Sequence, residues 1–213
     1  MQIKVWDGAT RLFHWALVIA FIFSVYSAFQ DKYGIYAEIH TYAGVSVLAL
    51  VAWRILWGIV GSDTSRFSHF VKGPNAIRAY LRGEGWDGVG HNPLGALSVV
   101  LMLVLLLAQA GMGLFASDGM FFDGPFARDA GSWSGDLTRW HRWTGYSLMG
   151  LAGLHVLAVL WYAGLKKIQM ILPIITGSKQ FSKAVAAPRL RSPILALGLA
   201  LGVAFAAWYF ILA

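Results

Sequence analysis

Long apolar runs separated by polar loops dominate the chain. A transmembrane helix needs about 20 predominantly apolar residues to cross about 30 Å of hydrocarbon. Five stretches meet that length: about Leu12–Phe29, Ile39–Val60, Leu94–Phe115, Trp140–Leu165 and Ile194–Leu212. The third is the cleanest and holds the run VVLMLVLLLA. Lys4 and Arg11 precede the first run as they would in a signal peptide. That run is long for a signal peptide, however, and Tyr26 occupies the −3 position of the one plausible cleavage site, after Ala28, so a retained helix is expected. The segment Lys167–Gly177 (KIQMILPIITG) is too short to cross and is interrupted by Pro173, which predicts an interfacial helix or a loop. Between spans two and three, GPNAIRAYLRG predicts one short surface helix beginning at Pro74, followed by a flexible glycine-rich return. The expected fold is all-α and integral to the membrane. It consists of a four-helix transmembrane bundle over residues 1–165 with a loop at about 61–92, an interfacial segment over 166–192, and a fifth, C-terminal helix over 193–213.

Composition agrees. Apolar residues make up 58% of the chain and charged residues 13%, with a mean hydropathy of +0.61, whereas a soluble domain carries about 25% charged residues. Cysteine is absent, which excludes disulfides, zinc–thiolate sites, iron–sulfur clusters and covalently attached c-type haem. The net charge of +7 is a topology signal. Twelve of the basic residues fall before span one, between spans two and three, and between spans four and five: Lys4, Arg11, Arg66, Lys72, Arg78, Arg82, Lys166, Lys167, Lys179, Lys183, Arg189 and Arg191. The other two loops hold Lys32, Arg128 and Arg139 against Asp31, Glu38, Asp118, Asp123, Asp129 and Asp136. Basic loops stay in the cytoplasm, so the amino terminus is expected in the cytoplasm and the carboxyl terminus on the far side of the membrane. Anionic lipid headgroups suit such a basic face, and nucleic-acid binding is not expected. Trp6, Trp15, Trp57, Trp133, Trp140, Trp143, Trp161 and Trp208 mostly fall at predicted helix ends, as an aromatic belt requires.

Ionisable residues at membrane depth are rare and usually functional. Of six histidines, His14, His40, His141 and His155 lie in predicted spans, while His69 and His91 fall in the cytoplasmic loop and read as solvated. The fourteen residues from His141 to His155 turn through about 1400°, within about 40° of whole turns, and rise about 21 Å. Both rings therefore face one side of span four at two depths, a spacing that suits two tetrapyrrole plates stacked along a bundle. His40 matches His141 at the outer level, and His14 matches His155 at the inner one. Counted from the nearest loop, His155 lies deeper than His14, so span one should begin before Arg11 or span four should project further inward. Zinc and di-iron sites would bring carboxylates, and the one acid near a span is Glu38, at the mouth of span two. Bis-imidazole iron leaves no open coordination position, so one-electron transfer is the expected chemistry.

Gly44 and Gly145 each follow an outer histidine by four residues, on the same helical face, where a missing side chain admits a flat macrocycle. Close helix packing by small residues is the competing explanation. Arg54 stands fourteen residues after His40, on its face and near the inner level, positioned either to meet a haem propionate or to snorkel from a helix end.

These residues resemble those of the bacterial cytochrome b561 and nickel–iron hydrogenase b-type cytochrome subunit family. The resemblance rests on RLFHW (Arg11–Trp15), HTYAGVSVLALVAWRILWGIVG (His40–Gly61), HRWTGY (His141–Tyr146) and GLH (Gly153–His155), with loop pieces FVKGPNAIRAYLRG, GHNPLGA and ITGSK. It implies a four-helix core holding two b haems ligated by His14, His40, His141 and His155. It also implies electron exchange between membrane quinone and an outer partner, commonly a c-type cytochrome or a hydrogenase. The fifth span lies outside the core shared by all members, which leaves it for partner docking or homodimerisation. Two other readings stay open at this level: a stand-alone quinone reductase using superoxide or another small oxidant, and a non-redox membrane anchor or transporter.

Overall fold

The computed structural model describes residues 1–86 and 88–213. A short strand β1 (Gln2–Lys4) leads into helix α1 (Gly8–Ala28), followed by α2 (Ile35–Val60). Two small helices, α3 (Phe67–Phe70) and α4 (Pro74–Leu81), precede α5 (Pro93–Phe115). Beyond it come α6 (Ala127–Ala130), a 3₁₀ turn over Gly131–Trp133, and the long α7 (Ser134–Gly164). The chain then forms α8 (Ile171–Thr176), strand β2 (Ser178–Gln180) and α9 (Pro193–Ala207), which a π turn extends to Leu212. Five of these stretches are long and apolar enough to span a membrane: Gly8–Ala28, Ile35–Val60, Pro93–Phe115, Ala127–Gly164 and Pro193–Leu212. The protein is thus an all-α integral membrane bundle, as expected.

The helix starts are fixed by capping. Asp7 accepts from the Thr10 backbone N–H at 2.6 Å and begins α1 one turn before Arg11, which brings His14 deeper and removes much of the depth mismatch read from sequence. Asn92 accepts from Gly95 N–H at 2.7 Å, with Pro93 next to it, to begin α5. The expected surface helix is α4, starting at Pro74.

Close backbone packing runs from α1 to α2, from α2 to α5 and from α5 to α7, so α7 meets the bundle mainly through α5. Helix α9 lies outside, against α2 and α1, and Trp53 on α2 donates its Nε1–H to Ala196 O at 3.0 Å. At mid-depth, Ala20, Val47, Val51, Leu103, Leu106 and Leu148 form a buried apolar cluster with members from α1, α2, α5 and α7. Leu148 lies seven residues from both His141 and His155, so this layer separates the two histidine levels.

The end of the bundle that holds the amino terminus and the basic loops is the basic end, and the other is the acidic end. At the basic end, β1 pairs antiparallel with β2, with Ile3 opposite Lys179. Gly177 O accepts from Val5 N–H and Trp6 N–H at 2.7 and 3.0 Å, and Arg11 donates to Ile175 O at 2.6 Å. The segment expected as an interfacial helix or loop therefore holds the short helix α8 and leads into a strand docked on the chain start. Trp57 departs from the expected belt. It is fully buried, and its Nε1–H points at Asp7 Oδ2 at 3.3 Å.

Candidate functional site

The acidic-end pair is the better-formed site. His40 on α2 and His141 on α7 face each other with ring centroids 6.0 Å apart. His40 Nδ1 lies 3.0 Å from Ser24 O and 3.1 Å from Ser27 Oγ, both on α1. His141 Nδ1 lies 2.8 Å from Gln109 O on α5. A carbonyl can only accept, so each Nδ1 carries the proton and each Nε2 keeps its lone pair. Metal-bound histidines are commonly fixed in this way, one nitrogen donating to a carbonyl while the other ligates. A metal held between the two Nε2 atoms would need about 2 Å on each side, which with the reach from nitrogen to centre in each ring is slightly more than the 6.0 Å separation.

A cavity of about 460 Å³ opens beside the pair, within the usual range for cofactor pockets. Its lining includes His40, His141, Gly44, Gly145, Lys32 and Arg142. A Cβ added at Gly44 would meet nothing within 4 Å, while one at Gly145 would meet Gln109 Nε2 at 3.2 Å. Gly150 and Gly153, between the two histidines of α7, also face open space. The residues at this site fit a flat b-type macrocycle: two opposed imidazoles with fixed tautomers, an apolar slot, and cations at its edge.

Two contacts to His141 were not anticipated from sequence. A Cβ on Gly113 would lie 2.9 Å from the ring's Cε1, so α5 must carry glycine for the imidazole to sit there. Gln109 Nε2 lies 3.2 Å from His141 Nε2, and its Oε1 is buried without a partner. Gln109 and Gly113 are four residues apart on one helical face, and a lone amide in an otherwise apolar span was the available signal. Phe122, from the acidic-end loop, covers His40 edge-on at 6.2 Å.

At the basic end, His14 on α1 and His155 on α7 lie within electrostatic range of each other. His14 packs edge-on against Trp15 at 5.2 Å, and its Nδ1 is buried without a partner. Arg54 is 3% exposed, with NH1 unpaired and its guanidinium over Phe67 at 5.3 Å and Phe70 at 5.8 Å. A snorkelling arginine would reach water, and Arg54 does not. Among the described residues, these two buried nitrogens have no partner, which leaves hydrogen-bonding capacity at this level for a bound polar group.

The loop histidines divide. His69 is exposed as expected, but His91 is not a solvated surface group. Its ring is packed against Trp6 at 4.7 Å and Phe70 at 4.8 Å, and its Nδ1 is shut off from solvent. The loop folds back under the bundle and leaves the ring partly buried, with Nδ1 inside.

The sequence profile of the family described as prokaryotic cytochrome b561 matches residues 5–177, which covers all four histidines. The chain belongs to the prokaryotic cytochrome b561 family. Cytochromes of this family bind b-type haem and transfer electrons within the membrane, and this protein is a multi-pass b-type membrane cytochrome. No curated protein and no solved structure matches the chain. The family match ends before α9, so the fifth span lies outside it.

Proposed function

We propose that this cytochrome holds two b haems and relays electrons through an inner membrane between quinone and an extracytoplasmic redox protein, a c-type cytochrome or a hydrogenase-like partner. His40 and His141 would hold one haem at the acidic end, and His14 and His155 the other at the basic end. Bound haem would supply one-electron exchange there. The protein sets the tautomers of the ligands, holds the slot open with Gly44, Gly145 and Gly113, and excludes water between the tiers with the Leu148 layer. Arg54 meets a propionate at the basic end. The asymmetry of the basic residues supports an orientation with the amino terminus in the cytoplasm.

One observation carries the reading: two histidine pairs, each drawing one member from α7, stand on opposite sides of the buried apolar layer. Haem content tests it. His141→Ala and His155→Ala should each remove about half of the pyridine haemochrome signal, and the two losses should come from spectroscopically different haems. Full two-haem content in either variant overturns the assignment of that pair.

A further inference from the structure

Two polar side chains at the basic end have no proposed role in ligation and, among the described residues, each has a buried nitrogen with no partner. The first is Arg54, with its unpaired NH1. Asp7 is the acid whose charge bears on it. That carboxylate already accepts from Thr10 N–H, Trp57 Nε1–H and Ser65 Oγ–H, and among the described residues no ion pair joins it to Arg54. A buried guanidinium left in this state is costly, and a carboxylate from elsewhere is the group that would satisfy it.

The second is His91. It shares Phe70 with Arg54, the ring centroids of His91 and Phe70 being 4.8 Å apart and Arg54 Cζ lying 5.8 Å from the Phe70 centroid. Trp6 packs against His91 at 4.7 Å and holds the imidazole in place. Burial first, then the charges of Arg54 and His155, push the ring down to about 3. It is therefore neutral under ordinary conditions, with one N–H to donate. The influence of His155 also places the ring close to the basic-end tier. A guanidinium and a neutral imidazole that share one phenyl ring, each with a buried unpartnered nitrogen among the described residues, and the imidazole within electrostatic range of His155, describe a receptor for one anionic oxygen group.

We propose that His91 and Arg54 form a two-member clamp for a propionate carboxylate of the basic-end haem, with Arg54 supplying the charge and His91 a second hydrogen bond. The inference rests on the ligand assignment above. A free anion or a lipid phosphate would have to enter beneath the loop, whereas a propionate arrives covalently attached to the group that His14 and His155 hold. His91 thus couples the loop between α2 and α5 to the electronic properties of one haem. Loss of its N–H leaves more negative charge on the propionate and disfavours the reduced haem.

The test uses the full-length holoprotein in lipid nanodiscs, with redox titration and the propionate bending bands of the resonance Raman spectrum as readouts. His91→Phe keeps a ring between Trp6 and Phe70 but removes the donor. One propionate band should move, and the reduced-to-oxidised ratio of one haem should fall about tenfold at fixed potential, 59 mV for a one-electron couple. The other haem should not change. His91→Gln, which keeps a donor, should restore most of both signals. A His91→Phe protein with two haems, unmoved bands and unmoved potentials overturns the clamp, and so does an equal shift of both haems. If the Phe variant loses a haem, His91→Ala with added imidazole decides. Return of the native band on rescue supports the clamp, and its failure to return overturns it. Failure of the ligand assignment is separately visible, because His14→Ala and His155→Ala would then leave both haems in place.

Discussion

Replacing Asp7 with alanine should destabilise the bundle by about 2 to 4 kcal/mol. Asp7 is 5% exposed and does two separable jobs. It caps α1 through Thr10 N–H, and loss of such a cap costs about 1 kcal/mol. It also accepts from the fully buried Trp57 Nε1–H, and orphaning a buried donor costs about 1 to 3 kcal/mol. Ser65 adds little, because its hydroxyl keeps Thr10 Oγ1 as a partner at 2.7 Å. Asp7→Asn should cost less: an amide oxygen still caps the helix, but its NH₂ then faces the indole N–H. SDS-induced unfolding in mixed micelles, followed by tryptophan fluorescence, measures these differences. A cycle with Trp57→Phe isolates the side-chain contact, with an expected coupling of about 1 kcal/mol. A cost below about 1 kcal/mol for Asp7→Ala, or strictly additive costs in the double variant, would refute the account of this network.

Three further outcomes are expected. Gly113→Ala places a methyl group 2.9 Å from His141 Cε1; the acidic-end haem should shift its α-band or be lost, while the other keeps its spectrum, as low-temperature absorption would show. Gly44→Leu fills space that is open in the slot, and should lower haem occupancy at the same tier with little loss of folded protein, read as haemochrome per mole of protein. At the acidic end, the backbone N–H groups of Phe122, Phe121 and Met120, in that order of effect, hold the Asp118 carboxyl below its ordinary value. A depressed carboxyl contributes stability above the unfolded value, about 3.9, and loses it as pH falls through the folded one. Hydrogen exchange of these three amides, corrected for intrinsic rate, should therefore lose protection on acidification below about pH 4, and Asp118→Asn should abolish that pH dependence.

The spans were legible because hydrocarbon imposes one strong rule on length and polarity, and His141 and His155 were legible because helical periodicity is rigid over fourteen residues. Contacts made by loops were not. Nothing local in KQ or QIK announces the β1–β2 pairing, since three-residue strands owe their existence to Gly177 O and its neighbours across the fold. His91 carries no periodic signal either: it sits among glycines, and its burial comes from Trp6 and Phe70, both distant in sequence. Trp57 matched a belt position by count, yet the partner that draws it inward, Asp7, lies fifty residues earlier. For Arg54 the choice between water and burial depended on α3, a helix too short for its pattern to predict.

The sheet of aliphatic side chains around Leu148 has an electrical consequence. Its buried members offer no hydroxyl, carboxylate or imidazole along which a proton could follow, so with a haem held in each tier as proposed, an electron passing between the tiers would cross that slab alone. Each such hop does work against, or draws work from, the membrane voltage, up to about 2.3 kcal/mol per 100 mV if the slab carried the full drop. Turnover in sealed vesicles should then slow or quicken with an imposed diffusion potential, according to its sign.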